Sequence, residues 1–192
     1  MKEPVSILYS ELCILNSVIL RFAIYIYLGI LIFTMKAVYP GRFDPVTYGH
    51  LAVIKRAREI FSGLIVLCAE EPEKNVVFSC KERMEMLRES ITDLSGVEIG
   101  SLNGLLVDWL AKNEIKVIIR GLRAVSDFEY EFQMALTNKR LYPEAETVFL
   151  MTDEKHFYFS SSVVKELARF GKRLKEFVPA PVEKRLREKY GF

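Results

Sequence analysis

KAVYPGRFDPVTYGHLAVIKRAREIF, residues 36–61, decides how the rest of the chain is read. Its opening apolar run, Ala37-Val38-Tyr39, reads as a buried strand; Pro40 and Gly41 are expected to break it, and Asp44-Pro45 to extend the loop that follows. Thr47 stands where an N-cap belongs, with Gly49 and His50 in the first helical turn. From Leu51 the apolar residues Leu51, Val53, Ile54, Ala57, Ile60 and Phe61 recur at helical spacing, while Lys55, Arg56, Arg58 and Glu59 fill the other face. A strand, a Gly-containing loop and an open helix N-terminus make an anion site, because unpaired backbone N–H groups and the helix dipole both point at the loop. His50 reaches whatever anion binds there. The plainer reading of the same residues is a βα turn whose histidine caps or packs.

Working outward, strand and helix signals alternate. Residues 64–69 are a continuous apolar run, as expected of a strand covered on both faces. Residues 79–94 read as a helix opened by the capping box Ser79-Cys80-Lys81-Glu82, and 97–99 as a short strand. A short helix over 105–112 carries Leu105, Leu106, Trp109 and Leu110 on one side, and 116–119 is another buried strand ended by Arg120-Gly121. Ser126 is expected to cap a helix to about residue 141, and 147–151 is a fifth strand. The triplet Ser160-Ser161-Ser162 opens a helix to Phe170, and a last helix runs from Pro181 to just before Gly191. Five strands separated by helices predict an α/β fold: a doubly wound parallel sheet of order 3-2-1-4-5 with right-handed crossovers. Its ligand crevice then lies between the first and fourth strands, where the order reverses.

The loops at that crevice carry the chemistry. Arg120 and Arg123 flank Gly121 and Leu122 at a strand end, and guanidinium groups so placed grip phosphate oxygens bidentately. Ser160–162 offer hydroxyls and free amides at a helix start. Lys74 follows the second strand in a loop, where a solvated lysine is the default. The formal charge of +2 on 192 residues is too small to suggest nucleic-acid binding by bulk electrostatics. Cys13, Cys68 and Cys80 lack metal-ligand spacing, which favours a reduced, cytoplasmic protein. Two histidines, His50 and His156, are too few for a histidine metal cluster.

Residues 1–34 stand apart from this pattern. Residues 12–34 are long and apolar enough to span a bilayer, although Arg21 would then sit near mid-membrane at a cost of roughly 2.5–3.5 kcal/mol. A strand starting at Lys36 leaves no linker between such a span and the sheet. The division expected is therefore an apolar extension over 1–34, read as sequence upstream of a true start at Met35, with a membrane anchor as the competing reading. The remaining residues, 35–192, form one domain. The mass of the native N-terminus decides between the two readings.

Taken with Gly41-x-Phe43-Asp44-Pro45, the Thr47-x-Gly49-His50 pattern resembles the HxGH-type nucleotidyltransferase superfamily, whose histidine contacts nucleoside triphosphate. From Met35 onward the chain resembles phosphopantetheine adenylyltransferase. The resemblance rests on Tyr39-Pro40-Gly41, Pro72-x-Lys74, Phe78-Ser79 with Glu82-Arg83, and Phe149-Leu150-Met151. It rests above all on Ile119-Arg120-Gly121-Leu122-Arg123-Ala124-Val125 followed by Asp127-Phe128-Glu129-Tyr130-Glu131, and on Ser160-Ser161-Ser162-x-Val164-Lys165-Glu166. It implies a Rossmann-like nucleotidyltransferase fold and Mg²⁺-assisted adenylyl transfer from ATP to 4′-phosphopantetheine, giving 3′-dephospho-CoA and pyrophosphate in coenzyme A synthesis. A homohexamer is implied too; the small net charge argues against a nucleic-acid partner, and the reading of residues 1–34 as upstream sequence argues against a membrane one. His50 is implied as the catalytic residue. Arg42, Phe43, His50, Gly121, Leu122, Arg123, Glu131, His156, Phe157, Tyr158, Phe159, Ser160, Ser161 and Ser162 are implied to bind ATP. Arg42, Lys74, Leu106 and Arg120 are implied to bind the acceptor, with Mg²⁺ held mainly by phosphates and no protein metal site. Arg42 departs from the family's usual Ser or Thr: its amide survives, and three readings of its guanidinium stay open, that it grips phosphate, crowds the cleft or pairs with a nearby acid. Two other readings stay open: another adenylyl- or cytidylyltransferase of the superfamily acting on a different phosphate such as nicotinate mononucleotide, and a nucleotide-binding protein with little turnover.

Overall fold

Residues 36–41 alternate in the way a central strand must, with Ala37 and Tyr39 in one apolar core and Val38 in another. The structure is a computed structural model and describes residues 21, 26, 35–70, 76–123, 125–152 and 160–192. Apart from Arg21 and Ile26, the extension over 1–34 lies outside the described residues, as do Lys74 and residues 153–159. Five strands, β1 (Lys36–Gly41), β2 (Gly63–Ala69), β3 (Val97–Leu102), β4 (Val117–Leu122) and β5 (Glu146–Met151), pair in parallel in the order β3-β2-β1-β4-β5. This is the expected doubly wound sheet.

Among the described residues, six helices connect and cover it: α1 (Tyr48–Ile60), α2 (Cys80–Ser90), α3 (Leu106–Lys112), α4 (Val125–Leu141), α5 (Ser161–Arg169) and α6 (Ala180–Tyr190). One core joins the sheet to α1, α2, α5 and α6 through residues such as Ile54, Leu87, Val164 and Leu186. A smaller core on the opposite face joins Val38, Leu67 and Ile118 to Leu110 of α3, with Tyr142 just past α4 packed against it. Among the described residues, no helix is long and apolar enough to cross a membrane.

Several boundaries differ from the sequence reading. Pro40 and Gly41 do not break β1; they stay in register with Leu67 and Cys68 of β2. The carbonyl of Pro40 accepts from Arg120 Nη1 of β4 at 3.0 Å. A residue's N–H and C=O leave a strand on the same side, so the N–H that proline lacks would have faced β4, not β2. Pairing between β1 and β4 covers only Ala37–Val117 and Val38–Ile118, so no ladder bond is forfeited there. Likewise Arg120 and Gly121 continue β4 rather than end it, because β5 pairs with them through Phe149 and Leu150. Helix α2 stops at Ser90, short of residue 94. Ile91 turns back with its N–H on the Arg88 carbonyl (3.4 Å), and Leu94 packs against the core from that turn. Helix α4 starts at Val125, two residues earlier than a Ser126 cap implies, so Ser126 lies in its first turn.

Candidate active site

The β1–α1 loop is held in an unusual shape before it reaches the helix. Phe43 has φ 52°, a left-handed conformation costing an aromatic residue about 1–3 kcal/mol. Its buried ring offsets this by packing edge-on against Tyr39 (centroids 5.4 Å apart) and His50 (5.1 Å). Gly41 is required beneath it, since a Cβ there would lie 2.9 Å from Phe43 Cζ.

Thr47 stands at the N-cap of α1 as expected, and its backbone N–H donates to His50 Nδ1 at 3.0 Å. That bond makes Nδ1 an acceptor, so the neutral ring carries its proton on Nε2. Burial, reinforced by the Arg123 charge, lowers the His50 pKa from 6.5 to about 4. His50 is therefore a neutral hydrogen-bond donor at physiological pH. The helix N-terminus is less open than the sequence suggests, because the Tyr48 N–H is taken by the Phe177 carbonyl at 3.0 Å.

From β4, Arg120 reaches across the crevice. Its Nε and Nη2 donate to the two carboxylate oxygens of Glu131 at 2.5 and 2.6 Å, and its Nη1 to the Pro40 carbonyl. Three of the five guanidinium donors are thus used by the protein, which orients the rest. Arg123 donates to Asp127 at 3.1 Å. Tyr39, buried beside these arginines, has its phenol pushed up to about 12 by burial. On the far side, Ser160 caps α5 by accepting from the Val163 N–H at 3.2 Å, and Ser161 Oγ donates to the Pro45 carbonyl at 2.8 Å.

Two adjoining cavities result. The first, of about 260 Å³, is lined by Arg42, Phe43, His50, Arg120, Gly121, Arg123, Glu131 and Ser160–162. The second, of about 380 Å³, is walled by Leu102, Leu105, Leu106, Val107, Met134 and Leu141. Pro40, Gly41, Arg42, Arg120 and Glu131 line both, and so form the partition between them. The first cavity is the richer in arginine and hydroxyl side chains; the second is mostly apolar.

Every described residue picked out from the sequence therefore borders these spaces except Leu122, whose buried side chain is absent from both linings. Lys74, His156, Phe157, Tyr158 and Phe159 lie outside the described residues. Tyr39, Pro40, Gly41, Thr47, Gly49 and Thr152 also line the first cavity and are not picked out as site residues from the sequence. Arg83 enters the sequence reading only as part of the resemblance, with no role assigned. This buried side chain donates to three carbonyls, those of Phe78 (3.1 Å), Ala69 (3.0 Å) and Arg42 (2.5 Å), and so pins the Arg42 backbone to the end of β2. A helix-borne arginine gives no sign of this in sequence, since it looks like any solvated cation.

Fold and site together define a nucleotidyltransferase, and the cytidylyltransferase-like family model matches residues 38–167. A solved structure from Vibrio parahaemolyticus, described as a nicotinate-nucleotide adenylyltransferase, superposes with a TM-score of 0.60 at 15% identity, covering 80% of this chain and 98% of that one. At that identity it speaks for the fold alone. Within the class, proteins named phosphopantetheine adenylyltransferase are much nearer. The one from Dictyoglomus turgidum is 57% identical over 156 residues, 81% of this chain and 98% of its own length. That from Caldanaerobacter subterraneus is 54% identical over 154 residues, 80% of this chain and 96% of its own. The chain belongs to the phosphopantetheine adenylyltransferase family.

Proposed function

We propose that the chain transfers the adenylyl group of ATP to 4′-phosphopantetheine, releasing pyrophosphate and forming 3′-dephospho-CoA. The observation carrying this reading is the partition: a cavity rich in arginine and hydroxyl side chains and a mostly apolar one share Arg42 and Arg120 at their common wall. The triphosphate belongs in the first, against His50, Arg123 and the serine-tipped N-terminus of α5, with Gly121 and the amide of Phe43 beside it. The pantetheine arm belongs in the second, along Leu106. Its phosphate then meets the α-phosphate of ATP at Arg120 and Arg42, and Lys74 is the further cation proposed for it.

No covalent intermediate is needed. The acceptor phosphate is ionised at neutral pH, and one of its oxygens attacks the α-phosphorus while the bond from that phosphorus to the bridging oxygen of pyrophosphate breaks. The task left to the protein is alignment of two polyanions and stabilisation of the charge that builds on the α-phosphate. His50 Nε2–H does this as a neutral donor, and Arg120 and Arg123 as cations. Among the described residues no three carboxylates, histidines or cysteines gather to hold a metal, and both oxygens of Glu131 are engaged by Arg120. The hydroxyl-lined cavity suits Mg²⁺ that arrives with ATP and stays mainly on its phosphates, neutralising their charge. ATP-binding roles for residues 156–159 belong to the same proposal.

A homohexamer is the assembly proposed, and α4 supports self-association: Phe128, Tyr130, Phe132, Met134 and Leu136 are all exposed along it. The proposed compartment is the cytoplasm, in keeping with the free thiols of Cys68 and Cys80. Pyrophosphate release decides the central claim. Turnover with phosphopantetheine and ATP supports it; turnover only with nicotinate mononucleotide, or ATP binding without pyrophosphate, overturns it. Light scattering on the purified chain measures the assembly.

A further inference from the structure

Asp44 and Lys165 line neither cavity, yet they join the elements that do. The Asp44 carboxylate is 3% exposed and accepts from the N–H groups of Val77 and Phe78, each at 3.0 Å, and from Lys165 Nζ at 3.0 Å. A carboxylate this deeply buried persists only when paired, and its partners come from two distant segments. Asp44 lies three residues before the N-cap of α1, and Lys165 lies one turn inside α5. The Ser161 hydroxyl on the Pro45 carbonyl makes a second link between the same loop and the same helix. These two links fix how the His50 end of α1 stands relative to the serine end of α5, both of which line the first cavity.

We propose that the Asp44–Lys165 ion pair is a positioning latch, setting the width of the polyphosphate cleft without touching its contents. The inference rests on the functional reading above. Lys165 is not a phosphate ligand in this arrangement, because its ammonium is turned onto Asp44 and its charge is already balanced. A contact that only stabilises the fold would lower the melting temperature and leave turnover of the folded protein unchanged. A latch acts on rate, since displacement of a reacting group by about 1 Å can cost on the order of a hundredfold.

The test uses the full-length chain with Lys165→Met, Lys165→Arg, Asp44→Asn and the double variant Asp44→Asn/Lys165→Met. Lys36→Met, which breaks the exposed Lys36–Glu98 pair, serves as a control. Steady-state rates are measured well below each melting temperature and ATP affinity by calorimetry. Expected are a kcat roughly 30-fold lower for Lys165→Met, recovery to within about threefold in Lys165→Arg, and no change for Lys36→Met. The double variant falls within about threefold of the worse single, because the two residues form one device. A Lys165→Met kcat within about threefold of wild type overturns the latch whatever its melting temperature, as does a Lys165→Arg variant equally impaired. Should Asp44→Asn fail to fold, the Lys165 pair of variants decides alone. If wild type binds ATP but releases no pyrophosphate, the functional reading falls, and the latch is judged on whether Lys165→Met weakens ATP about tenfold while Lys165→Arg does not. A wild type that binds no ATP overturns both.

Discussion

Replacing His50 with alanine separates two things a histidine can be: a cation gripping phosphate, or a neutral donor. The Thr47 N–H on Nδ1 and the lowered pKa of about 4 make it the second. The sign of the pH effect follows. An unfolded histidine takes up a proton near the ordinary 6.5, whereas the folded one resists until about 4, so stability is full above 6.5 and falls away as pH drops toward 4. The full displacement corresponds to at most ~3 kcal/mol. Urea unfolding at about pH 7 and about pH 4, in wild type and His50→Ala, isolates this contribution, since the other titrating groups cancel in the comparison. The variant should lose ~2–3 kcal/mol less than wild type on acidification. In turnover at neutral pH, loss of one donor to developing charge should lower kcat by about 10²–10³. An acid limb near pH 6 in wild type would come from the second ionisation of the acceptor phosphate and should persist in the variant. Equal acid sensitivity of the two proteins, a His50 ring titrating at its ordinary pKa by NMR, or a kcat within about threefold of wild type would each refute the reasoning.

Arg120→Ala leaves Glu131 unpaired in the partition; the KM for phosphopantetheine should rise at least about tenfold, and by much more than ATP affinity falls, as initial-rate kinetics and calorimetry would report. Equal effects on both would place Arg120 elsewhere in the reaction. Gly121→Ala drives a Cβ to 2.9 Å from Val53 Cγ2 on α1, and overpacking there should cost ~1–3 kcal/mol in urea unfolding. Arg83→Met strands the carbonyls of Phe78, Ala69 and Arg42; a loss of ~3 kcal/mol or more is expected, with kcat falling as the Arg42 backbone is released.

The sheet order and the gathering of His50, Arg120 and Ser161 could be read from sequence because each rests on local signals: apolar runs, a cap, a glycine between arginines. The misreadings share a cause. Pro40 and Arg120-Gly121 look like strand ends by residue type, but strand continuation depends on which neighbour needs a hydrogen bond, and that is set by the whole sheet. Helix α2 looks longer than it is because Ile91 and Leu94 keep an apolar spacing while packing from a turn. Ionic ties are the least legible. Asp44 and Lys165 are 121 residues apart, and nothing near either one announces the other.

The short seam between β1 and β4 has a mechanical consequence. Beyond Val38–Ile118 the two strands part, while β1 stays paired to β2 as far as Gly41 and β4 to β5 as far as Leu122. The sheet is therefore two complete leaves joined at a narrow spine, with Arg120 bridging the gap to Pro40. The β1–β4 ladder has already ended below the gap, so a ligand filling it breaks no ladder bond. Proline at position 40 keeps the spine from extending upward, because it has no amide with which to close the gap.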